Sequence, residues 1–273
     1  MKLKVKEVGL SSGGILIAVL NANDAKKLDL VPGDRVSIKR LRMQKEIICV
    51  VNVSTKGIKE GEIGFFEEAM KKVGAKGRVD VEIADQPRSI DYIKRKLHGD
   101  VLSPEEYDEL VKDIVHNEFS DVELTYFVSG AYTRGMSLKE AAALTEAIVN
   151  NGERLKIKSD IIVDKHSIGG VPGNRTTMVV IPIIAALGYT IPKTSSRAIT
   201  SPSGTADTME VLAPVKIGVN KIIKVVKKTN ACIAWGGAAN LAAADDELIS
   251  IRHHMGIDPL GMMLASIMAK KKA

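Results

Sequence analysis

Three things are scarce in this sequence. It holds two cysteines, Cys49 and Cys232, far apart in apolar, strand-like surroundings, too few for a disulfide framework and without zinc-ligand spacing. A reducing, cytoplasmic setting is the expectation. Aromatic residues make up 4% of the chain, so the stacking platforms that hold nucleic-acid bases are few. No recognition-helix, zinc-finger or RNA-binding signature is present, and nucleic acid is not an expected partner. Long apolar runs are also missing. The most apolar stretch, Met178 to Leu187, is short and carries Pro182, and the opening MKLKVKEVGL has no apolar segment of the kind a secretion signal needs. Neither a membrane span nor export is expected.

What is present describes an ordinary globular chain of about two domains: 273 residues, 45% hydrophobic and 26% charged. Its 39 Lys and Arg against 33 Asp and Glu give a net charge of +6. The cations are interleaved with acids, and Lys270 to Lys272 suit a helix C-terminus on dipole grounds. A modest positive potential suits a small phosphorylated ligand.

Three regions follow from the change of hydrophobic period. Residues 1–84 alternate in period two, as in Leu3, Val5 and Val8, Val36 and Ile38, and Val79, Val81 and Ile83, with turns at Gly13-Gly14, Pro32-Gly33-Asp34 and Gly57. A small β-barrel-like domain with one or two short helices is expected, for assembly rather than chemistry. From residue 85 to about 160 the period becomes helical. Ser103-Pro104-Glu105-Glu106 and Ser137-Leu138-Lys139-Glu140 read as capping boxes, the second helix closing at Gly152, and Ser120 with Glu123 reads as a third. Residues 161–240 alternate strand and helix: an apolar strand Ile161-Ile162-Val163, a helix from about Arg175 to Leu187, a strand and loop over Thr190 to Ser203, a helix from Thr205 and a strand Ala231 to Ala234. That pattern predicts a parallel α/β sheet, with ligands at the carboxyl ends of its strands.

Two strand-to-helix loops carry candidate chemistry. In the first, Asp164 to Thr177, glycines open a helix whose free N–H groups would face an anion, although a plain βα turn has the same outline. It is neither a Walker loop nor a dinucleotide fingerprint. The second, Ser195 to Glu210, holds Ser195, Ser196, Thr200, Ser201, Ser203 and Thr205 together with Arg197, a set rich in phosphate donors. A flexible polar surface loop is the alternative.

Lys165-His166-Ser167 with Gly169-Gly170, followed by Ser195-x-Arg197-Ala198 and Gly204-Thr205-x-Asp207-x-Met209-Glu210, resemble the paired signatures of the thymidine/pyrimidine nucleoside phosphorylases. The N-terminal barrel and the wording Ser196-Arg197-Ala198-Ile199-Thr200-Ser201-Pro202 resemble the archaeal branch of that family, the AMP phosphorylases. The resemblance implies phosphorolysis, in which phosphate attacks C1′ and expels the base, giving adenine and ribose 1,5-bisphosphate from AMP, with CMP and UMP as further possible substrates. It implies no metal and no cofactor, since phosphate is itself a substrate. Phosphate would be held by Lys165, Ser167, Thr177, Ser195 and Thr205. The base-contacting Arg, Ser and Lys would be Arg252, Ser266 and Lys270, and nucleotide contacts would fall on Gly170, on Ser196, Arg197, Ala198, Ile199, Thr200 and Ser201, and on Thr205 and Ser266. The family also implies a homo-oligomer, a dimer through the helical domain enlarged by the barrel. Family members continue past the equivalent of Ala273, so the chain is expected to hold half of the α/β domain, with residues 241–273 returning to the helical domain.

Asp258 matches the proton donor of the AMP branch. An adenine anion leaves poorly, so protonating it is worth about 10²- to 10⁴-fold, and a carboxyl that keeps its proton needs burial. Asp258-Pro259 equally reads as a helix N-cap followed by Pro. His166 is the second candidate acid, with a structural histidine bonded to an Asn or a carbonyl as the alternative. Asp245-Asp246-Glu247 reads as the solvated start of a helix, with a magnesium site as the sharper possibility. That possibility belongs to a rival reading, a magnesium-dependent phosphoribosyltransferase; a pyrimidine or thymidine phosphorylase and a non-catalytic fragment are the others.

Overall fold

The computed structural model describes residues 1–40, 46–74, 77–166, 174–198, 203–239 and 241–273, which fall into two compact units. One comprises Met1–Ile90 with His116–Ser120, the other Asp91–Val115 with Asp121–Ala273.

In the first unit the period-two alternation becomes a closed barrel. Its strands are β1 (Lys2–Glu7), β2 (Ile17–Asn21), β3 (Arg35–Lys39), β4 (Ile47–Ser54), β5 (Glu62–Phe65) and β6 (Arg78–Ile83), in the order β1-β5-β2-β4-β3-β6. The β1–β5 and β2–β4 pairs are parallel and the rest antiparallel. Alternate side chains such as Leu3, Val5, Leu20, Ile38, Ile63, Phe65 and Val81 fill the interior, since successive residues of a strand face opposite sides. Two short helices, α1 (Ala22–Lys27) and α2 (Glu67–Val73), complete it. Asn21 caps α1, its side-chain oxygen accepting from Asn23 N at 2.9 Å.

The second unit begins within α3 (Ser89–His98) and continues through α4 (Pro104–Val115), α5 (Asp121–Arg134) and α6 (Leu138–Asn150). Both capping boxes at α4 and α6 form. Ser103 N donates to Glu106 at 2.8 Å and Glu106 N to Ser103 Oγ at 3.3 Å, while Ser137 and Glu140 exchange bonds of 2.9 and 3.2 Å. Glu140 does more than cap. Its other oxygen, Oε1, accepts from Lys96 Nζ at 2.7 Å and Tyr107 Oη at 3.1 Å in a site where Lys96 and Glu140 side chains are each 2% exposed. Tyr107, Leu110 and Ile114 of α4 and Ala141, Leu144 and Ile148 of α6 are buried, as a helical apolar stripe requires.

The α/β part consists of α7 (Asn174–Ala186), β7 (Ile191–Ser195), α8 (Thr205–Glu210), α9 (Val219–Thr229), β8 (Ala231–Trp235) and α10 (Gly236–Ala239). Strands β7 and β8 are parallel, Ile191 opposite Ala231 and Ser195 opposite Trp235. Then α11 (Ala243–Met255) and α12 (Leu260–Lys272) return to the helical layer, where α12 packs on α6 and α11 on α5. No helix among the described residues is long and apolar enough to cross a membrane.

Three local expectations are corrected. Gly152 does not close α6, whose C-cap is Asn151; a Cβ on Gly152 would lie 2.4 Å from Leu241 O, so the glycine permits close backbone approach instead. The apolar strand Ile161-Ile162-Val163 is reduced to a single parallel bridge, Ile162 to Thr190, with Ile161 and Ile162 about half exposed. The N-cap of α12 is Pro259 without a side-chain bond, because the Asp258 carboxylate is engaged elsewhere.

Candidate active site

The parallel register brings two loops to one sheet end. Val163 N donates to Thr190 O at 2.9 Å, so residues 164–166 leave the sheet beside β7 residues 192–195. Lys165 Nζ donates to Thr177 Oγ1 at 2.9 Å, and Thr177 is fully buried on the first turn of α7. His166 Nδ1 lies 2.8 Å from Asp164 Oδ2, which also accepts from Lys271 Nζ at 2.9 Å. The His166 partner is therefore a carboxylate, not the Asn or carbonyl of the structural alternative. Burial works to raise the Asp164 carboxyl, but the bonds from His166 and Lys271 and the charge of Lys193 outweigh it and hold it below the usual carboxylate range. Burial lowers His166, its Asp164 bond opposing and the Lys193 charge reinforcing.

Lys193 went unnoticed in the sequence. It points from the middle of β7, is 2% exposed, and its ammonium donates to Thr194 O. Burial pulls its pKa down to about 8; Asp164 opposes, and the charges of Lys165, Lys270 and Lys271 add to the fall. Lys165, Lys193 and Lys271 act on the single carboxylate of Asp164, a local surplus of positive charge that suits an anion.

The second loop is braced from within. Arg197 donates to Glu210 through Nη1 at 2.7 Å and Nη2 at 3.0 Å and to Asp207 at 2.9 Å, and it lies 4.8 Å from the centroid of the Trp235 ring. Asp207 Oδ2 accepts from Ala198 N at 2.8 Å and Gly204 N at 2.9 Å. The guanidinium offered in the sequence as a phosphate donor thus holds the loop shape. Gly204 is required by that shape, since a Cβ there would lie 2.7 Å from Arg197 C and 2.8 Å from Ser196 O. Ser195 Oγ donates to Ser196 O at 3.0 Å, and Thr205 is buried at the start of α8.

A second cluster lies on α11 and α12. Ser266 and Lys270, four apart on α12, share one face and both donate to Asp245 Oδ2, at 2.6 and 2.5 Å. Arg252 reaches Asp245 Oδ1 through Nη2 at 3.4 Å and Asp258 Oδ1 through Nη1 at 2.8 Å. Its Nε has no partner among the described residues. Asp245 is 2% exposed and Arg252 1%, so the solvated reading of residues 245–247 is overturned. Asp245's oxygens are already taken by two cations and a hydroxyl, which does not fit a magnesium ligand. Burial raises Asp246 to about 7 and raises Glu247. Asp258 also lies above its ordinary value: burial raises it, the Arg252 charge opposes, and the Asp245 charge adds.

The two clusters adjoin at α10. A Cβ built on Gly236 would lie 3.8 Å from both Lys270 Cε and Ser195 O. Of the sequence-assigned residues, Lys165, His166, Thr177, Ser195, Ser196, Arg197, Ala198 and Thr205 surround the sheet end, and Arg252, Asp258, Ser266 and Lys270 form the neighbouring cluster. Ser167, Gly170, Ile199, Thr200 and Ser201 lie outside the described residues.

Two family models match the chain. The helical bundle domain of the glycosyl transferase family matches residues 90–152, and the a/b domain of the same family matches residues 159–271. The chain belongs to this glycosyl transferase family. Within it, the chain is 44% identical over 275 residues to an AMP phosphorylase of Thermofilum pendens, a match covering 100% of this chain and 53% of that protein. An AMP phosphorylase of Thermococcus sibiricus is 45% identical, with 100% and 54% covered. The chain spans about half the length of the curated relatives it matches. Among solved structures, anthranilate phosphoribosyltransferase from Thermus thermophilus superposes with a TM-score of 0.54 at 21% identity over 65% of this chain and 54% of that one, a likeness of fold.

Proposed function

We propose that this chain provides the phosphate-binding and base-binding halves of an AMP phosphorylase site. The observation that carries the reading is the meeting of two unlike clusters at Gly236: the ammonium-rich sheet end and the α11–α12 cluster of Lys270, whose other members include the raised carboxyl of Asp258. Its support is the similarity to archaeal AMP phosphorylases along the whole chain.

In this reading Lys165, Lys193 and the hydroxyls of Thr177, Ser195 and Thr205 clamp inorganic phosphate, joined by Ser167. A phosphate oxygen forms a bond to C1′ of AMP as the bond from C1′ to N9 of adenine breaks. The electron pair leaves with the base, and the Asp258 proton neutralises it. Adenine and ribose 1,5-bisphosphate result. Electrostatic stabilisation of the cationic ribose comes from the attacking phosphate, held by charges already in place before reaction. Arg252, Ser266 and Lys270 face the base side. No step needs a metal or cofactor. The two buried free thiols, Cys49 and Cys232, support a reducing cytoplasmic location, and exposed Val122, Tyr126 and Tyr132 on α5 suit a dimer through the helical domain.

The test is to incubate AMP with purified protein, with and without inorganic phosphate, and follow free adenine and the bisphosphate. Adenine release should require phosphate. Release without phosphate would mean hydrolysis and would sink the reading.

A further inference from the structure

The carboxylate that organises the base end is Asp245, which belongs to none of the assigned roles. It stands seven residues before Arg252 on α11, two turns away on the same face, and faces Ser266 and Lys270 across the helix pair. One of its oxygens is saturated by those two donors, and the other takes a single bond from Arg252. We infer that Asp245 is a positioning residue: it fixes Ser266 and Lys270 with one oxygen and, with the other, draws Arg252 away from a full pairing with Asp258.

A guanidinium is a planar, rigid set of N–H donors. Its fork favours a two-bond grip on a single carboxylate, and such a grip strongly favours the ionised acid. Arg252 makes no such grip on Asp258. It gives Asp258 only Nη1, at 2.8 Å, and turns Nη2 toward Asp245, at 3.4 Å. An acid held ionised by a whole guanidinium has no proton to deliver, so dividing the guanidinium keeps Asp258 useful. The negative charge of Asp245 acts in the same direction, because a second nearby anion is disfavoured.

Arg252 and Lys270 are the cations paired with Asp245, and ionising Asp258 would add a second negative charge near that of Asp245, which the first disfavours. The charged groups acting on Asp258 are Arg252 and Asp245; those on Asp245 are Lys270 and Arg252, and Asp246 and Glu247 adjoin it on α11.

This inference rests on the proposed role of Asp258 as proton donor, and its test is independent of turnover. The side-chain carboxyl carbons of aspartate are labelled with ¹³C in the full chain, Asp258 is assigned by its loss in Asp258→Asn, and its titration midpoint is followed by NMR in Asp245→Asn. The midpoint should fall by about one pH unit or more, a roughly tenfold loss of the protonated form at a given pH. A midpoint unmoved in a folded Asp245→Asn variant would overturn the inference and leave Asp245 a packing residue. Should that variant not fold because Lys270 is stranded, Asp245→Asn with Lys270→Met removes the stranded cation, and the same fall is required of it. Failure of the Asp258 role would show elsewhere, as normal adenine release by Asp258→Asn.

Discussion

Phosphate affinity should fall above pH 8, and Lys193 is the reason. Its ammonium is buried at the sheet end, and burial together with three neighbouring lysines brings its pKa to about 8. The protonated form attracts phosphate and the neutral form does not. The sign is therefore fixed: affinity is present below about pH 8 and is lost as pH rises through that value. Phosphate is already a dianion there, so its own charge does not change. If the neutral form binds weakly, the dissociation constant grows about tenfold for each pH unit above the midpoint, or about 1.4 kcal/mol.

Proton linkage gives an independent reading of the same group. Half a unit above the midpoint roughly three quarters of Lys193 is neutral, so binding one phosphate should draw in up to about three quarters of a proton. Isothermal titration of phosphate into the chain, in two buffers of different ionisation enthalpy, measures that uptake. Lys193→Met should abolish it, flatten the pH profile and weaken binding near neutrality by roughly 1.5 to 3 kcal/mol, the range for a charge-assisted hydrogen bond. A flat affinity between about pH 7.5 and 9.5 with no uptake would refute the reasoning. Uptake that survives Lys193→Met would refute it too, since the proton would then belong to another group such as Lys165, which burial also lowers.

Five further substitutions have expected outcomes. Glu140→Gln keeps a side chain able to close the capping box but strands Lys96 at 2% exposure, and urea unfolding should show a loss of about 3 to 5 kcal/mol; Lys96→Met should cost less, because Glu140 keeps its bonds from Ser137, Tyr107 and Leu102. Gly204→Ala should weaken phosphate binding tenfold or more by titration, since its Cβ meets loop backbone at 2.7 to 2.9 Å, whereas Gly218→Ala, with nothing within 4 Å, should bind normally; the tenfold figure corresponds to about 1.4 kcal/mol. Asp258→Asn should lower adenine release by about two orders of magnitude with little change in melting temperature, because the side chain caps no helix and the Asn oxygen can still accept from Arg252 Nη1.

Local signals were legible and long-range ones were not. The capping boxes at Ser103 and Ser137 are read correctly because each closes within four residues of sequence. The barrel is legible because period-two alternation survives in its strands. Lys193 is missed because a lysine in a short strand usually lies on a solvated face; its only signal is parity with Ile191 and Ser195, which are both buried. Asp245-Asp246-Glu247 is misread for a related reason: acids at a helix start are favoured by the dipole and normally need no other explanation. The spacing from Asp245 to Arg252 and from Ser266 to Lys270 holds the information, but only the bonds from Ser266 and Lys270 to Asp245 join the two pairs. Asp258 loses its capping role through a partner six residues back, Arg252.

The lysine run at the end of α12 carries this lesson to the site itself. A dipole argument treats Lys270, Lys271 and Lys272 as interchangeable, yet each has its own acid: Asp245 on α11, Asp164 at the sheet end and Glu146 on α6. They also differ in exposure, the side chains of Lys270, Lys271 and Lys272 being 4%, 33% and 49% accessible. Losing Lys272 therefore costs a screened surface pair worth about 1 kcal/mol or less. Losing Lys270 uncovers a buried Asp245, and Arg252 alone must then answer its charge. Because Lys270 and Lys271 are consecutive residues on one rigid helix, a shift of α12 moves the partner of Asp245 and the partner of Asp164 together. The α11–α12 cluster and the sheet-end cluster are thereby tied through a single element, and a change in packing at one is felt as a change of charge at the other.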